Sequence, residues 1–387
     1  MTGSGDLLRY GRKAHHRPVV VWNITRRCNL HCVHCYSRSE NKTYPEELTK
    51  DEAKVFIKDA SDFGVPVLLF SGGEPLLRKD IFEVARLARD AGIRTVLSTN
   101  GTLITDALAK KIETAGFSYV GISLDGVRET NDKFRGAQGA FQAAVQGIRN
   151  CVKAGIKTGL RFTVTKHNYR DIPSIFNFVE AERIPRLCFY HLVYVGRGSG
   201  MTKDDLSHKQ TRRLLDCILV RAEKFHKKGL NTEILTVDNY SDAAYLYLKL
   251  KEKDQKKAEE ALQLLKINGG NSSGLGIACV DSEGNVHPDQ FWQHYSMGNI
   301  RDRSFSKIWT DTSEPLLHAL RNRKEHLKGK CTSCSFLEIC NGNLRVRAEA
   351  VYGDVWASDP ACYLTDEEIG LNWEGNDDGR RIQKPSV

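Results

Sequence analysis

The amino-acid sequence predicts an α/β protein, a partial parallel barrel or open sheet of six strand–helix units followed by a smaller cysteine-rich module. Three observations predict it. Short β-branched runs alternate with stretches of helical period through the first half. That rhythm stops after "GRGSG", near residue 200. Seven of the eleven cysteines gather in two groups, one just behind the first run and one near the C-terminus. Strands separated by a helix must run parallel, because each return crosses over through that helix.

The elements can be taken in order. The runs are "PVVVWNI", "PVLLFSG", "RTVLSTN", "YVGISLD", "TGLRFTV" and "LCFYHLVY", beginning at Pro18, Pro66, Arg94, Tyr119, Thr158 and Leu187. Helical patterns fill the gaps at about 49–63, 80–91, 106–115, 140–154 and 171–182. Such a fold gathers the loops that follow its strands at one end, where its chemistry sits. Residues 206–228 and 243–266 also read as helices, the second rich in Lys and Glu, so 201–270 is expected to be a solvated helical connector. The glycine-rich "NGGNSSGLG" then opens a module over 271–370. The barrel is expected over 18–200, preceded by an arm at 1–17 and followed by a polar, disordered tail at 371–387.

Composition excludes several classes. A chain of 387 residues, 40% hydrophobic, buries a sizeable core and exceeds ordinary single-domain size. It has no apolar run long enough to span a bilayer, and Met1 to Arg17 lacks a signal-peptide core, so a soluble cytoplasmic protein without membrane attachment is expected. The net charge of +9 is spread along the chain rather than massed in a stripe, which argues against nucleic acid. Eleven cysteines in such a chain point to metal or redox chemistry rather than disulfides. Cys151, Cys188 and Cys217 sit singly in apolar surroundings and read as small buried hydrophobes, while Cys279 fits neither group.

The loop after the first strand, "RRCNLHCVHCYS", carries Cys28, Cys32 and Cys35. A four-iron cube bound by three thiolates keeps one iron open for a ligand; a zinc knuckle completed by His31 or His34 is the alternative. Near the C-terminus Cys331, Cys334, Cys340 and Cys362 supply four thiols, enough to saturate a cluster or a zinc ion. At the ends of later strands stand "SGGEP" with Gly72, Gly73 and Glu74, "STNG" with Ser98 and Asn100, "SLDG" with Ser123 and Asp125, and "FRG" with Arg135. Glycines admit close backbone approach, and a carboxylate can receive an ammonium.

The C-x3-C-x2-C loop with Tyr36 behind it, followed in order by these strand-end motifs, resembles the radical S-adenosylmethionine superfamily over about residues 18–200. The C-terminal cysteines resemble its SPASM/twitch extension, short of the cysteines that a second auxiliary cluster would need. The resemblance implies two [4Fe–4S] clusters and S-adenosylmethionine. It assigns Cys28, Cys32 and Cys35 to the catalytic cluster and the other four cysteines to one auxiliary cluster. It places the cofactor against Tyr36, Gly72, Gly73, Glu74, Ser98, Asn100, Ser123, Asp125 and Arg135. The implied chemistry is reductive cleavage to a 5′-deoxyadenosyl radical, fed by reduced flavodoxin or ferredoxin.

The stretches "FYHLVYVGRGSG", "HPDQFWQHYSMGN" and "VRAEAVYGDVWA" resemble the haem-biosynthesis branch of that superfamily. That branch implies an iron tetrapyrrole substrate: removal of two acetates from 12,18-didecarboxysiroheme to give Fe-coproporphyrin III, or of propionates on the way to heme d1. Peptide modification is the competing class. Arg161, Arg197, Arg345 and Arg347 offer forked donors to tetrapyrrole carboxylates. Tyr190, Phe291 and Trp292 offer flat surfaces, and His191, His287 or His294 could ligate iron. A monomer is expected.

Overall fold

The computed structural model describes residues 17–371, together with the backbone of two short strands at Trp373–Gly375 and Arg381–Gln383. The N-terminal arm and most of the tail lie outside the described residues. The two terminal strands pair antiparallel, where the tail was expected to be disordered.

Strands β1 (Val19–Thr25), β2 (Val67–Gly72), β3 (Arg94–Thr99), β4 (Tyr119–Ser123), β5 (Thr158–Val164) and β6 (Arg186–His191) follow the six predicted runs and lie parallel in chain order. Between them run helices α1 (Lys50–Phe63), α2 (Ile81–Asp90), α3 (Asp106–Ala115), α4 (Glu129–Arg135), α5 (Ala140–Lys153) and α6 (Ile172–Ala181). Local chemistry sets their ends. Thr49 and Glu52 form a reciprocal capping box that opens α1. Thr105 caps α3, whose C-terminus turns left-handed at Gly116. Trp22, Phe70 and Phe56 meet under the sheet, with Trp22 edge-on to Phe56 at 5.0 Å between centroids.

Two features depart from the expected organisation. Helix α7 (His208–Lys227) leads into a seventh parallel strand, β7 (Glu233–Val237), which pairs with β6. The stretch expected to be purely helical thus extends the barrel. Its other helices are α8 (Ser241–Lys253) and α9 (Gln255–Asn268), separated at Asp254, which caps α9. The second departure is at the opposite edge. Strand β8 (Ile277–Val280) runs parallel to β1, with Val21 opposite Cys279, and β9 (Val286–His287) folds back on it. The sheet therefore reads β7-β6-β5-β4-β3-β2-β1-β8-β9, so the C-terminal module begins as part of the barrel's own sheet.

Side chains lock the module on further. Arg301 reaches Glu52 at 2.5 Å and the Glu46 carbonyl at 3.0 Å. Asp59 receives the Ser306 hydroxyl at 2.6 Å, and Phe56 packs edge-on against Phe305. Among the described residues no helix is long and apolar enough to cross a membrane.

Candidate active site

All eleven cysteines are free thiols. Cys28, Cys32 and Cys35 lie on the loop leaving β1, the first two buried and the third half-buried. Three neighbours shape that loop. The C-terminal end of α4 supports it from one side, where the His31 and Val33 amides donate to the Arg135 and Phe134 carbonyls at 3.2 and 3.0 Å. From the next strand, Gly73 packs against it so tightly that a Cβ there would stand 2.2 Å from the Arg27 carbonyl oxygen. From the far end of the barrel comes "GRGSG". Gly196, at φ +60°, touches the Cys35 and Tyr36 carbonyls, and Arg197 donates through Nε to the Cys32 carbonyl at 2.8 Å and through Nη1 to the Ser39 carbonyl at 2.9 Å.

Around the thiols several strand-end residues converge. Asn100 Nδ2 lies 4.0 Å from Cys28 Sγ, and Arg135 Nη1 lies 3.5 Å from Cys32 Sγ. Arg135 also pairs with the fully buried Asp125, which sits 3.5 Å from His34 Nε2. Burial pushes the Cys28 thiol up to about 12 and the His34 imidazole down to about 4. The Tyr36 hydroxyl donates to Asn23 Oδ1 at 2.8 Å and lies 3.2 Å from Ser71 Oγ, its ring edge-on to Phe291.

Several of these side chains also hold the chain itself. Glu74 is fully buried, and its carboxylate already receives Thr99 Oγ1 at 2.7 Å, the Asn100 amide at 2.8 Å and the Leu76 amide at 3.1 Å. It braces β2 to β3. Gly72 and Gly73 fit tightly against the chain's own carbonyls, those of Thr25 and Arg27. Ser98 receives Arg161 Nη1, and that guanidinium lies over the Tyr190 ring. Ser123 ends β4 beside them.

The expected substrate arginines and histidines are mostly engaged. Arg347 is fully buried, paired with Asp359 and donating to the Leu192 and Asp238 carbonyls. Arg345, equally buried, donates to the Val355, Ala357 and Gly342 carbonyls. Both belong to the module's packing rather than to a substrate face, and Arg197 clamps the cysteine loop. His191 is tied to Asp242 at 2.8 Å, and His287 to the Tyr295 carbonyl and Asp281.

A cavity of about 670 Å³ opens beside the cysteine loop, between β1, the turn from β8 to β9 and the helix α10 (Arg345–Tyr352). Its walls include Asn23, Arg26, Arg38, Gly72, Phe291 and His294, and its size suits a large organic ligand. Trp292 is buried behind His294, which stacks on it. Cys279, buried on β8, receives Asn23 Nδ2 at 3.6 Å. Sequence reasoning passed over Arg26 and Arg38; their positions flanking the cysteine loop were the available signal.

Cys331, Cys334, Cys340 and Cys362, all half-buried, line a second, small pocket together with Lys330, Phe336 and Asp359. Among the described residues no three His, Cys, Asp or Glu side chains converge on a point fit for a single metal ion. Four thiols framing a volume suit a polynuclear cluster.

Residues 22–179 match the radical SAM superfamily, and 273–335 match the SPASM iron–sulfur cluster-binding domain. A Fe-coproporphyrin III synthase of Methanosarcina barkeri is 56% identical over 94% of this chain and 95% of its own length. The chain belongs to the radical SAM superfamily and carries its SPASM extension.

A pre-heme d1 synthase of Dinoroseobacter shibae is 44% identical over 92% of this chain and 88% of its own. The fold is shared with Streptococcus suis SuiB bound to S-adenosylmethionine, at a TM-score of 0.71 and 20% identity, over 90% of this chain and 77% of that one. As a radical SAM enzyme the protein uses S-adenosylmethionine and two [4Fe–4S] clusters. The residues fit them. Three thiols on one loop are one short of a cube's four irons, and four thiols around a small pocket complete another. Buried Arg135 Nε, Arg161 Nε, Arg197 Nη2 and His34 Nδ1 have no hydrogen-bond partner, and buried donors of this kind call for the polar atoms of a bound group.

Proposed function

We propose that this enzyme works in haem biosynthesis, removing the two acetate side chains of 12,18-didecarboxysiroheme to give Fe-coproporphyrin III. The observation that carries this is the 56% identity, over nearly the whole of both chains, to a Fe-coproporphyrin III synthase. The cavity beside the three-cysteine loop has the volume for a macrocycle. Removal of propionates is the second reading, favoured by the 44% identity to a pre-heme d1 synthase. Likeness to peptide-binding SuiB, at 19% identity, carries the fold alone.

In this reading Cys28, Cys32 and Cys35 hold the catalytic cluster, and Cys331, Cys334, Cys340 and Cys362 the auxiliary one. The chemistry these groups supply when bound is reductive cleavage of S-adenosylmethionine to a 5′-deoxyadenosyl radical. The chain's own residues position and shield. Arg135, held by Asp125, fixes charge beside the Cys32 thiol. Tyr36 ties the loop to the barrel floor through Asn23, and Ser98, Asn100 and Ser123 present polar strand ends to the cofactor. Arg197 keeps the loop closed against β6. Buried walls exclude water from a reactive species. The electron donor is reduced flavodoxin or ferredoxin, and the enzyme acts as a cytoplasmic monomer.

Anaerobic turnover with 12,18-didecarboxysiroheme, read by chromatography and mass, tests the assignment. Fe-coproporphyrin III is the expected product. A product that keeps its acetates and lacks propionates would transfer the enzyme to the heme d1 reaction, and an untouched tetrapyrrole would overturn both readings. Reconstituted protein is expected to hold about eight irons, and the Cys28/Cys32/Cys35→Ala variant about four.

A further inference from the structure

Resting on the tetrapyrrole reading, we propose that Arg26 and Arg38 form the clamp that binds the substrate's carboxylates. Of the arginines expected to face the substrate, Arg347 is paired with Asp359, Arg345 holds carbonyls of the module, Arg197 holds the cysteine loop and Arg161 donates to Ser98. Arg26 and Arg38 are the arginines among the residues lining the 670 Å³ cavity. Elsewhere around the site Arg78 is paired with Asp80, Arg135 with Asp125, Arg301 with Glu52 and Arg347 with Asp359.

Arg26 lies with one face over the Tyr44 ring, 5.1 Å from its centroid, and its Nε is buried without a hydrogen-bond partner. A stacked guanidinium with an unfilled buried donor is half of a forked carboxylate site. Arg38 is exposed at the cavity, its backbone left-handed at φ +48°. A non-glycine residue stays in that conformation only where its surroundings hold it. Here Arg197 does so, gripping the carbonyls of Cys32 and of the next residue, Ser39. Among the described residues neither Arg26 nor Arg38 meets a carboxylate within ion-pair distance. Of the acidic groups across the cavity, Asp281 receives His287 and Asn285, Glu349 receives His294, and Glu283 lies within the field of Arg301.

Position gives the clamp its purpose. The two arginines flank the loop of three thiols, Arg26 just before Cys28 and Arg38 just after Cys35. A polycarboxylate held between them is oriented against the catalytic loop, so the arginines select which edge of the macrocycle faces the chemistry. Arg–carboxylate forks are directional, which a diffuse positive surface is not.

Binding of Fe-coproporphyrin III to the anaerobically reconstituted holoenzyme, followed by its visible absorption, tests this. Arg26→Gln and Arg38→Gln are each expected to weaken binding roughly thirtyfold or more, the effect of removing one desolvated charge partner. Arg38→Lys should recover part of the loss. The methyl ester of the same porphyrin should bind wild type and double variant alike. Unchanged iron content and thermal midpoint in the variants exclude misfolding. Variants that bind the free acid as tightly as wild type, or a wild type that prefers the ester, would overturn the clamp while leaving the tetrapyrrole reading intact. A wild type that binds no tetrapyrrole would overturn both.

Discussion

Arg347 shows how one residue's role depends on its burial. The guanidinium is sealed inside the C-terminal module against Asp359, so Arg347→Ala leaves a buried carboxylate without its counter-charge, a loss of about 3–5 kcal/mol. The expected outcome is a lowered unfolding midpoint and loss of auxiliary-cluster iron. A variant that keeps both and raises only KM would return Arg347 to the substrate. His191 gives a pH signature. Burial pushes its pKa down, but the charge and hydrogen bond of Asp242 outweigh this and hold it above the ordinary 6.5, with Arg347 opposing and Asp205 assisting. A raised folded pKa stabilises fully below the unfolded value and loses that contribution as pH rises through the folded one. The stability gap between wild type and His191→Gln should therefore be widest below about pH 6.5 and shrink as pH rises above it; a constant gap would mean a neutral imidazole throughout. None of this was legible in the sequence. An arginine beside "AEAVYG" reads the same whether it faces a ligand or a buried aspartate a dozen residues on.

At the scale of elements the sequence was far more legible. Helix α3 stands at its expected bounds because Thr105 and Gly116 punctuate it, and six strands follow their β-branched runs. Strand β7 escaped because "EILTV" is short, lies at the sheet's edge with every residue half-buried, and sits between long Lys- and Glu-bearing helices. The strand-end motifs were found, but not the contacts they make within the chain. Gly72 and Gly73 read as making room for a ligand, whereas the space beside Gly73 is filled by the Arg27 carbonyl. Gly73→Ala should therefore push the cysteine loop away from β2 and drop iron from about eight to about four per chain while the auxiliary cluster's spectrum survives. Full iron in that variant would show that the loop can yield.

At the scale of the whole molecule, the barrel and the module are one sheet, and β1 is its hinge of assembly, with β2 on one side and β8 on the other. The β1–β8 pairing and the Arg301–Glu52 bridge couple the two halves. The cavity walls come from opposite ends of the chain, Asn23 to Gly72 on one side and Asp281 to Glu349 on the other. A sequence pattern read window by window sees each half and misses the join, because pairing across most of the chain leaves no local period.

That join sets a timetable for synthesis. The ribosome makes β1 first, and the strand that covers its outer edge emerges only after some 250 further residues, a matter of tens of seconds or less at ordinary elongation rates. Through that interval Val19 to Trp22 present bare amides and carbonyls on an apolar strand, the condition in which chains pair with the wrong neighbour. A chain ended at residue 270 makes the interval permanent and is expected to collect in the insoluble fraction; a soluble, monodisperse fragment would show that another segment guards the edge. In the cell the nascent enzyme has reason to be escorted until its last hundred residues arrive.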